Sequence, residues 1–451
     1  MSGKALLETQ LGDALRSSPA DEAELVGARY RTSLTRFAKS SIHQNVNEEN
    51  THVIARVAVG RKIGVSSTNR TDPDSLSALL EKAAEIAAES PDREGFPGFP
   101  AAERAPQVEA YSEKTAAMTP EVRAEAIARA AAIGRPDGIG LSGAFRVSRF
   151  TQAVVNTSGT AQSYDGTDAF LSVFATDEND VNGSATSYAV GVDDIDVDGV
   201  ARTAIDKCKA AADPVSIDPG EMDVILEPRT MAEVVGWLSF TSLSAKQVQE
   251  GASFMSDRIG EKLMGENVSI WDDGNDPEGV PIPFDYEGVP KKRVPLIENG
   301  VVRGPVYDSL TAARDGAVST GHASVPTMPS GPVPRNVFIA PGESTIEEIM
   351  SSVKRGLLVT SFHYLNGLLD TRRALFTGMT RAGTYLVENG SITRAVKNLR
   401  FTESMLRALS NVEAMTRERR TIGGGGWGGV SSVTLPTMLV RNFTFTGSTE
   451  F

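Results

Sequence analysis

Between Ala28 and Thr68 the chain repeats short β-forming runs separated by polar connectors too short to hold a helix, and this repetition narrows the possible folds most. The runs are Ser33–Phe37, Ile42–Val46, His52–Val59 and Lys62–Val65. Strands joined by so few residues turn back on one another, so the segment is expected to form an antiparallel meander. A helix follows, with Asp74 as its cap and Leu76, Leu79, Leu80, Ala83 and Ala87 on one face. The stretch Pro91–Pro106, with Phe96-Pro97-Gly98-Phe99-Pro100, reads as a loop packed by its aromatic rings.

Thr119-Pro120-Glu121 places a cap and then proline at a first turn, which predicts a helix to about Ile133. Strands are expected from Ile139 to Tyr188, with a turn at Ser158-Gly159, and then a helix over Gly199–Ala212. Strands, two helices, strands and a helix in that order read as α+β, because a βαβ alternation is missing. The segment Asp213–Gly220 reads as a boundary. It divides an N-terminal α+β domain of antiparallel strands and helices, 1–212, from a C-terminal strand-rich antiparallel domain, 220–451. In the second part a strand at Val224–Leu226 precedes a helix from about Arg229. Glu298-Asn299-Gly300 and Glu388-Asn389-Gly390 predict two tight hairpins, since Asn-Gly tolerates positive φ at both central positions. Val280–Pro295 and Ser324–Pro334 are proline-rich connections.

Composition removes whole classes of function. Of 451 residues 40% are apolar and 23% charged, as in core-forming chains, and the net charge is -13. An acidic surface repels phosphate backbones, so no nucleic-acid partner is expected. No run reaches the ~18 apolar residues of a membrane span, and none has the length of a signal sequence, so a cytoplasmic protein without a membrane partner is expected. The single cysteine, Cys208, excludes an intramolecular disulfide and a cysteine-cluster metal site.

The four histidines are His43, His52, His322 and His363. None belongs to an H-E-x-x-H zinc helix. His43 and His52 fall on strands expected to be neighbours and could approach each other, but no third ligand is evident. No G-x-S-x-G occurs, and Ser351-Ser352-Val353-Lys354 fits S-x-x-K on a helix after Thr345 where a solvated lysine suffices as explanation. Gly423–Gly429 satisfies G-x-G-x-x-G trivially, yet a strand-like run follows where a phosphate-binding helix is required. That glycine run reads as a loop tip whose Trp427 is a candidate contact for a partner or ligand. His322 and His363 lie by a loop and a buried strand, and the residues alone give no self-sufficient catalytic constellation.

Taken together, several segments resemble the TldD/PmbA family of proteases. Arg36-Phe37-Ala38 with Ile42-His43-Gln44-Asn45 is similar to that family's amino-terminal signature. Trp271-Asp272-Asp273-Gly274, Ser319-Thr320-Gly321-His322-Ala323, Asn366-Gly367-Leu368-Leu369-Asp370 and Val387-Glu388-Asn389-Gly390 with Ala395-Val396-Lys397 resemble its carboxy-terminal landmarks. Their common order over nearly the whole chain carries the resemblance.

In that family the TldD-type subunit holds zinc through H-E-x-x-x-H on the first helix of the second domain, with a cysteine near the carboxy terminus. Here the matching stretch reads Ala232-Glu233-Val234-Val235-Gly236-Trp237. Alanine carries no donor atom and an indole has no free lone pair. Positions five apart on a regular helix also point ~140° away from each other. The resemblance therefore implies a metal-free subunit of the TldE (PmbA) type, with Ala232, Glu233 and Trp237 as degenerate motif positions, Trp237 filling the vacated space as core, and no catalytic or metal residue of its own. It implies a heterodimer with a TldD-like chain that carries the zinc, enclosing a chamber where unfolded or small peptides are cut; alone, the chain could form a homodimer. His322, Asn366 and Trp427 are the candidate contacts for substrate or partner. Competing readings are a regulatory binding protein of the gyrase-modulator kind, without proteolysis, and a subunit of a dedicated peptidase in peptide maturation.

Overall fold

A computed structural model describes residues 3–16, 18, 20, 22–328, 330–381, 383–423 and 432–448. Its first part runs α1 (Gly3–Arg16), β1 (Glu22–Ala38), β2 (Ser41–Val59), β3 (Lys62–Thr68), α2 (Pro73–Glu89), α3 (Glu113–Ala116), α4 (Pro120–Gly134), β4 (Gly140–Asn156), β5 (Ala161–Thr176), β6 (Asn182–Ala189) and α5 (Val197–Ala210). The six strands form one sheet in the order β3-β2-β1-β4-β5-β6, every pair antiparallel.

The meander is therefore present, but with longer strands than the sequence runs indicate. The runs at Ile42 and His52 belong to one 19-residue strand, β2, whose first half is solvated and held by its ladder to β1. His43 and His52 thus lie nine positions apart on a single strand, about 30 Å at ~3.3 Å per residue, and cannot share a ligand. Helix α2 is capped by Asp72 and not by Asp74: the Asp72 carboxylate accepts the Ser75 N–H at 3.0 Å, and Pro73 follows at the first turn. Its buried residues are Leu76, Leu79, Leu80, Ala83 and Ala87. Thr119 caps α4, accepting the Val122 N–H. The loop at 91–106 is packed by the edge-to-face rings of Phe96 and Phe99, 5.5 Å apart. Helix α1 was not anticipated; it buries Leu7 and Leu11 completely.

Strand alternation sends one set of side chains to each face of the sheet. On one face α1 and α2 cover Leu25, Val53 and Val155, while α4 and α5 cover Phe37, Phe145 and Leu171. On the other face Val26, Ile54, Phe150, Val154 and Tyr164 pack against Ile282, Phe284 and Tyr286 from the second half of the chain. Arg56 of β2 ties the same junction, 2.6 Å from the fully buried Glu24 and 3.3 Å from Glu287. Burial raises the Glu24 carboxyl to about 7 against the opposing pull of Arg56.

The second part supplies β7 (Glu221–Leu226), α6 (Pro228–Thr241), β8 (Ile270–Asp272), β9 (Val294–Glu298), β10 (Val301–Val302), β11 (Asn336–Ile339), β12 (Arg355–Val359), β13 (Phe362–Asp370), β14 (Leu375–Thr380), β15 (Thr384–Glu388), β16 (Ser391–Ala395), β17 (Leu399–Ser404), β18 (Val412–Gly423) and β19 (Ser432–Ser448). Among the described residues these make a 13-stranded sheet whose hub is β19, paired with β7, β11, β17 and β18. Most pairs are antiparallel, but β11 with β19 and β7 with β12 are parallel. Both Glu-Asn-Gly segments turn hairpins, β9–β10 and β15–β16, with positive φ at Asn299, Gly300, Asn389 and Gly390. The fold class is α+β, as the sequence predicts. Among the described residues no helix is long and apolar enough to cross a membrane.

Candidate functional site

Helix α6 begins with Pro228 directly after Glu227, where the missing N–H costs no hydrogen bond. It packs against β13 and β19 and buries Met231, Val234, Val235 and Leu238 in the main core. Ala232 lies on the buried side. Glu233, Gly236, Trp237 and Phe240 follow at the i, i+3, i+4, i+7 spacing of one helix face, and this face meets solvent.

Trp237 does not become core as expected. It is half-buried at the margin of the apolar cluster, edge-on to Phe240 at 6.4 Å, and Phe240 itself is 48% exposed. The reason is angular: in a regular helix residue 237 points away from residue 232, so it cannot fill space beside Ala232. Glu233 is half-buried and makes no hydrogen bond among the described residues. Burial pushes its carboxyl up to about 7, against the pull of Arg229.

This face does not fit zinc. Ala232 has no donor, the Trp237 indole has no lone pair to offer, and Glu233 is a single carboxylate on a regular helix. Among the described residues no three of His, Cys, Asp and Glu gather as a metal would require.

His322 sits elsewhere, fully buried, and its placement corrects its assignment as a contact residue. Its Nε2 is 2.7 Å from Asp272 Oδ1 and its Nδ1 2.9 Å from Thr320 Oγ1, so both ring nitrogens are engaged inside the protein. Asp272 also faces Lys291 at 3.5 Å and accepts the backbone N–H groups of Arg335 and Asn336 at 2.7 and 2.8 Å. Burial opposes ionisation of Asp272, but Lys291, His322 and the hydrogen bonds together hold its carboxyl well below the usual range. Burial lowers the affinity of His322 for a proton, as does Lys291. The Trp271-Asp272 and Gly321-His322 landmarks therefore form one buried knot that joins β8, β11 and two loops.

Asn366 is exposed on β13, where its Oδ1 accepts the Leu368 N–H at 2.8 Å. The structure thus brings Asn366 and the Glu233–Trp237 stripe onto neighbouring elements and leaves His322 apart. Trp427 lies outside the described residues. Three residues near Asn366 escaped the sequence reading: Tyr364, Leu368 and Leu369 are 76%, 56% and 48% exposed. Their apolar character reads as core, and only the fold shows them facing water. Ser351 and Lys354 of the S-x-x-K pattern are exposed near the end of a short helix, and the Ser351 hydroxyl donates to the Glu348 carbonyl at 2.8 Å.

With this geometry in place, similarity to known proteins becomes specific. Residues 219–447 match the family described as PmbA/TldA metallopeptidase C-terminal domain, and residues 23–87 match its domain 1. The chain belongs to the PmbA/TldD metallopeptidase family. Its fold is that of TldE from Thermococcus kodakarensis, with a TM-score of 0.89 at 19% identity, over 97% of this chain and 100% of the other. A metalloprotease of Methanocaldococcus jannaschii is 31% identical over 207 residues, 44% of either chain. A metalloprotease TldD homolog of Buchnera aphidicola is 28% identical over 209 residues, 44% of this chain and 43% of the relative. The chain thus spans less than half the length of these curated relatives.

Proposed function

We propose that this chain is a metal-free, TldE-type subunit that pairs with a zinc-bearing TldD-type chain to cut unfolded or small peptides. The observation that carries the reading is on α6, where Ala232 and Trp237 occupy the positions at which ligands would be needed. The likeness of fold to TldE supports it, because an inactive partner keeps its shape while its ligand positions drift. The partly solvated stripe of Glu233, Trp237 and Phe240 on α6, and the exposed Tyr364 and Leu368 on β13, against which α6 packs, support a role in lining a shared chamber or meeting the partner, since exposed apolar groups mark contact surfaces. In this reading the chain closes the chamber and helps position an extended substrate, and the zinc chemistry belongs to the other subunit.

Co-expression with a TldD-type chain tests the pairing. The expected result is a stable complex containing about one zinc per pair, with the metal staying on the partner when the chains are separated. A stoichiometric zinc on this chain alone would overturn the assignment. A chain that never associates with such a partner would favour a regulatory role without proteolysis.

A further inference from the structure

The helix-bearing face of the first sheet is covered unevenly. The α1–α2 pair closes one end and the α4–α5 pair the other. Between the pairs, strand positions of this same face are polar: Arg31 and Ser33 on β1, Asn47 on β2 and Arg149 on β4. A cavity of about 550 Å³ lies over them, closed on its far side by the 115–120 segment and the first turn of α4. Arg31, Arg123 and Arg149 line it, and no aspartate or glutamate does.

That concentration of cations is unfavourable as it stands, although water screens part of the repulsion at the exposed Arg31 and Arg149. Arg31 and Arg149 are directly opposite each other in the β1–β4 ladder, where like charges repel. Among the described residues neither forms an ion pair; Arg31 reaches only the neutral Asn47 Oδ1, at 3.4 Å, although Glu49 is its register partner on β2. Arg123 is 1% exposed, and its Nε and Nη1 donate to Thr35 Oγ1 at 2.9 Å and to the Met118 carbonyl at 3.0 Å. Its hydrogen bonds go only to neutral groups, and burial weakens its hold on the proton against a smaller opposing pull from Glu121. The chain as a whole has 58 acidic and 45 basic side chains, so three arginines around one cavity with no acidic residue in its lining run against its composition.

We propose that this cavity is a binding site for the oxyanion of a small ligand, a carboxylate or a phosphoryl group. Guanidinium forks match both groups in geometry, and binding would relieve the repulsion between Arg31 and Arg149. Arg123 adds its charge from the wall. The cavity is larger than a bare oxyanion needs, and Val46, Val147 and Met118 offer apolar contact to the remainder of the ligand. The site is on the first sheet, away from α6, and stands independently of the pairing and zinc content proposed above.

Calorimetric titration of the full chain tests it with three probes: inorganic phosphate, a short peptide with a free carboxy terminus, and the same peptide amidated. Saturable binding of phosphate or of the free peptide is expected. It should weaken about tenfold or more in Arg31→Gln and in Arg149→Gln, and stay unchanged in Arg202→Gln on exposed α5 surface. The first two variants should also be at least as stable without ligand as the parent, because each removes one of two facing like charges. Loss of binding on amidation assigns a carboxylate; binding of phosphate alone assigns a phosphoryl group; mutual displacement assigns a general oxyanion site. No saturable binding by any probe, or binding undiminished in both variants, would overturn the proposal.

Discussion

Glu233 is the one member of the degenerate motif that keeps an ionisable group, and its surroundings decide what it can do. In the proposed function the zinc and its water belong to the partner, so Glu233→Gln should leave kcat of the assembled complex within about twofold. A loss of two or more orders of magnitude, with assembly intact, would show that Glu233 reaches the shared active site. The same carboxyl leaves a trace in stability. Its pKa rises from 4.5 to about 7 on folding, chiefly by burial, so the folded state retains a proton that the unfolded state releases. Stability therefore falls as pH rises from 4.5 through 7, and the glutamine variant should gain on the parent over that window. Partial solvation limits the gain to the order of 1 kcal/mol. Urea unfolding of both proteins at pH 5 and pH 8 measures it, and identical pH slopes would contradict it. Asp272 behaves oppositely: Asp272→Ala strands the buried Lys291 and should lower stability by about 3–5 kcal/mol in the same assay. An unchanged midpoint would show that Asp272 and Lys291 do not stabilise the fold.

Among the elements, helix faces and caps were the most legible part of the sequence. The spacing of Leu76, Leu79, Leu80, Ala83 and Ala87 predicts the buried face of α2 because an amphipathic helix on a sheet has only one dry side. The strands were less legible. The polar stretch Asn47–Thr51 reads as a connector, yet β2 continues through it, because a strand with both faces in water needs no alternation and is held by backbone pairing alone. For the same reason the sequence places His43 and His52 on separate neighbouring strands, whereas both belong to β2. Tyr364 and Leu368 mislead in the other direction, since apolar residues on an exposed strand carry no local sign of exposure. The buried His322–Asp272 knot was also invisible, because it joins residues 50 positions apart through loops without periodicity. Gly183 on β6 lies where α5 crosses the sheet, and a Cβ there would sit 2.2 Å from the Ala204 carbonyl oxygen and the Cys208 nitrogen. Gly183→Ala should therefore cost on the order of 2 kcal/mol as backbone is pushed apart. A variant as stable as the parent would mean that α5 can lift without loss.

For the molecule as a whole, one face of the first sheet carries helices and the other packs on the strand-rich half through Phe284, Tyr286 and the Arg56 bridge. This joins a sheet with an uncovered polar stripe to a fold of peptidase type whose key helix lacks zinc donors. In the proposed function such a chain contributes walls and contacts to proteolysis, and its partner contributes the metal. A fluorogenic unfolded peptide offered to this chain alone, to a TldD-type chain alone and to their mixture tests that division most directly. Cleavage confined to the mixture and abolished by a chelator is the predicted result; robust, chelator-insensitive cleavage by this chain alone would contradict it.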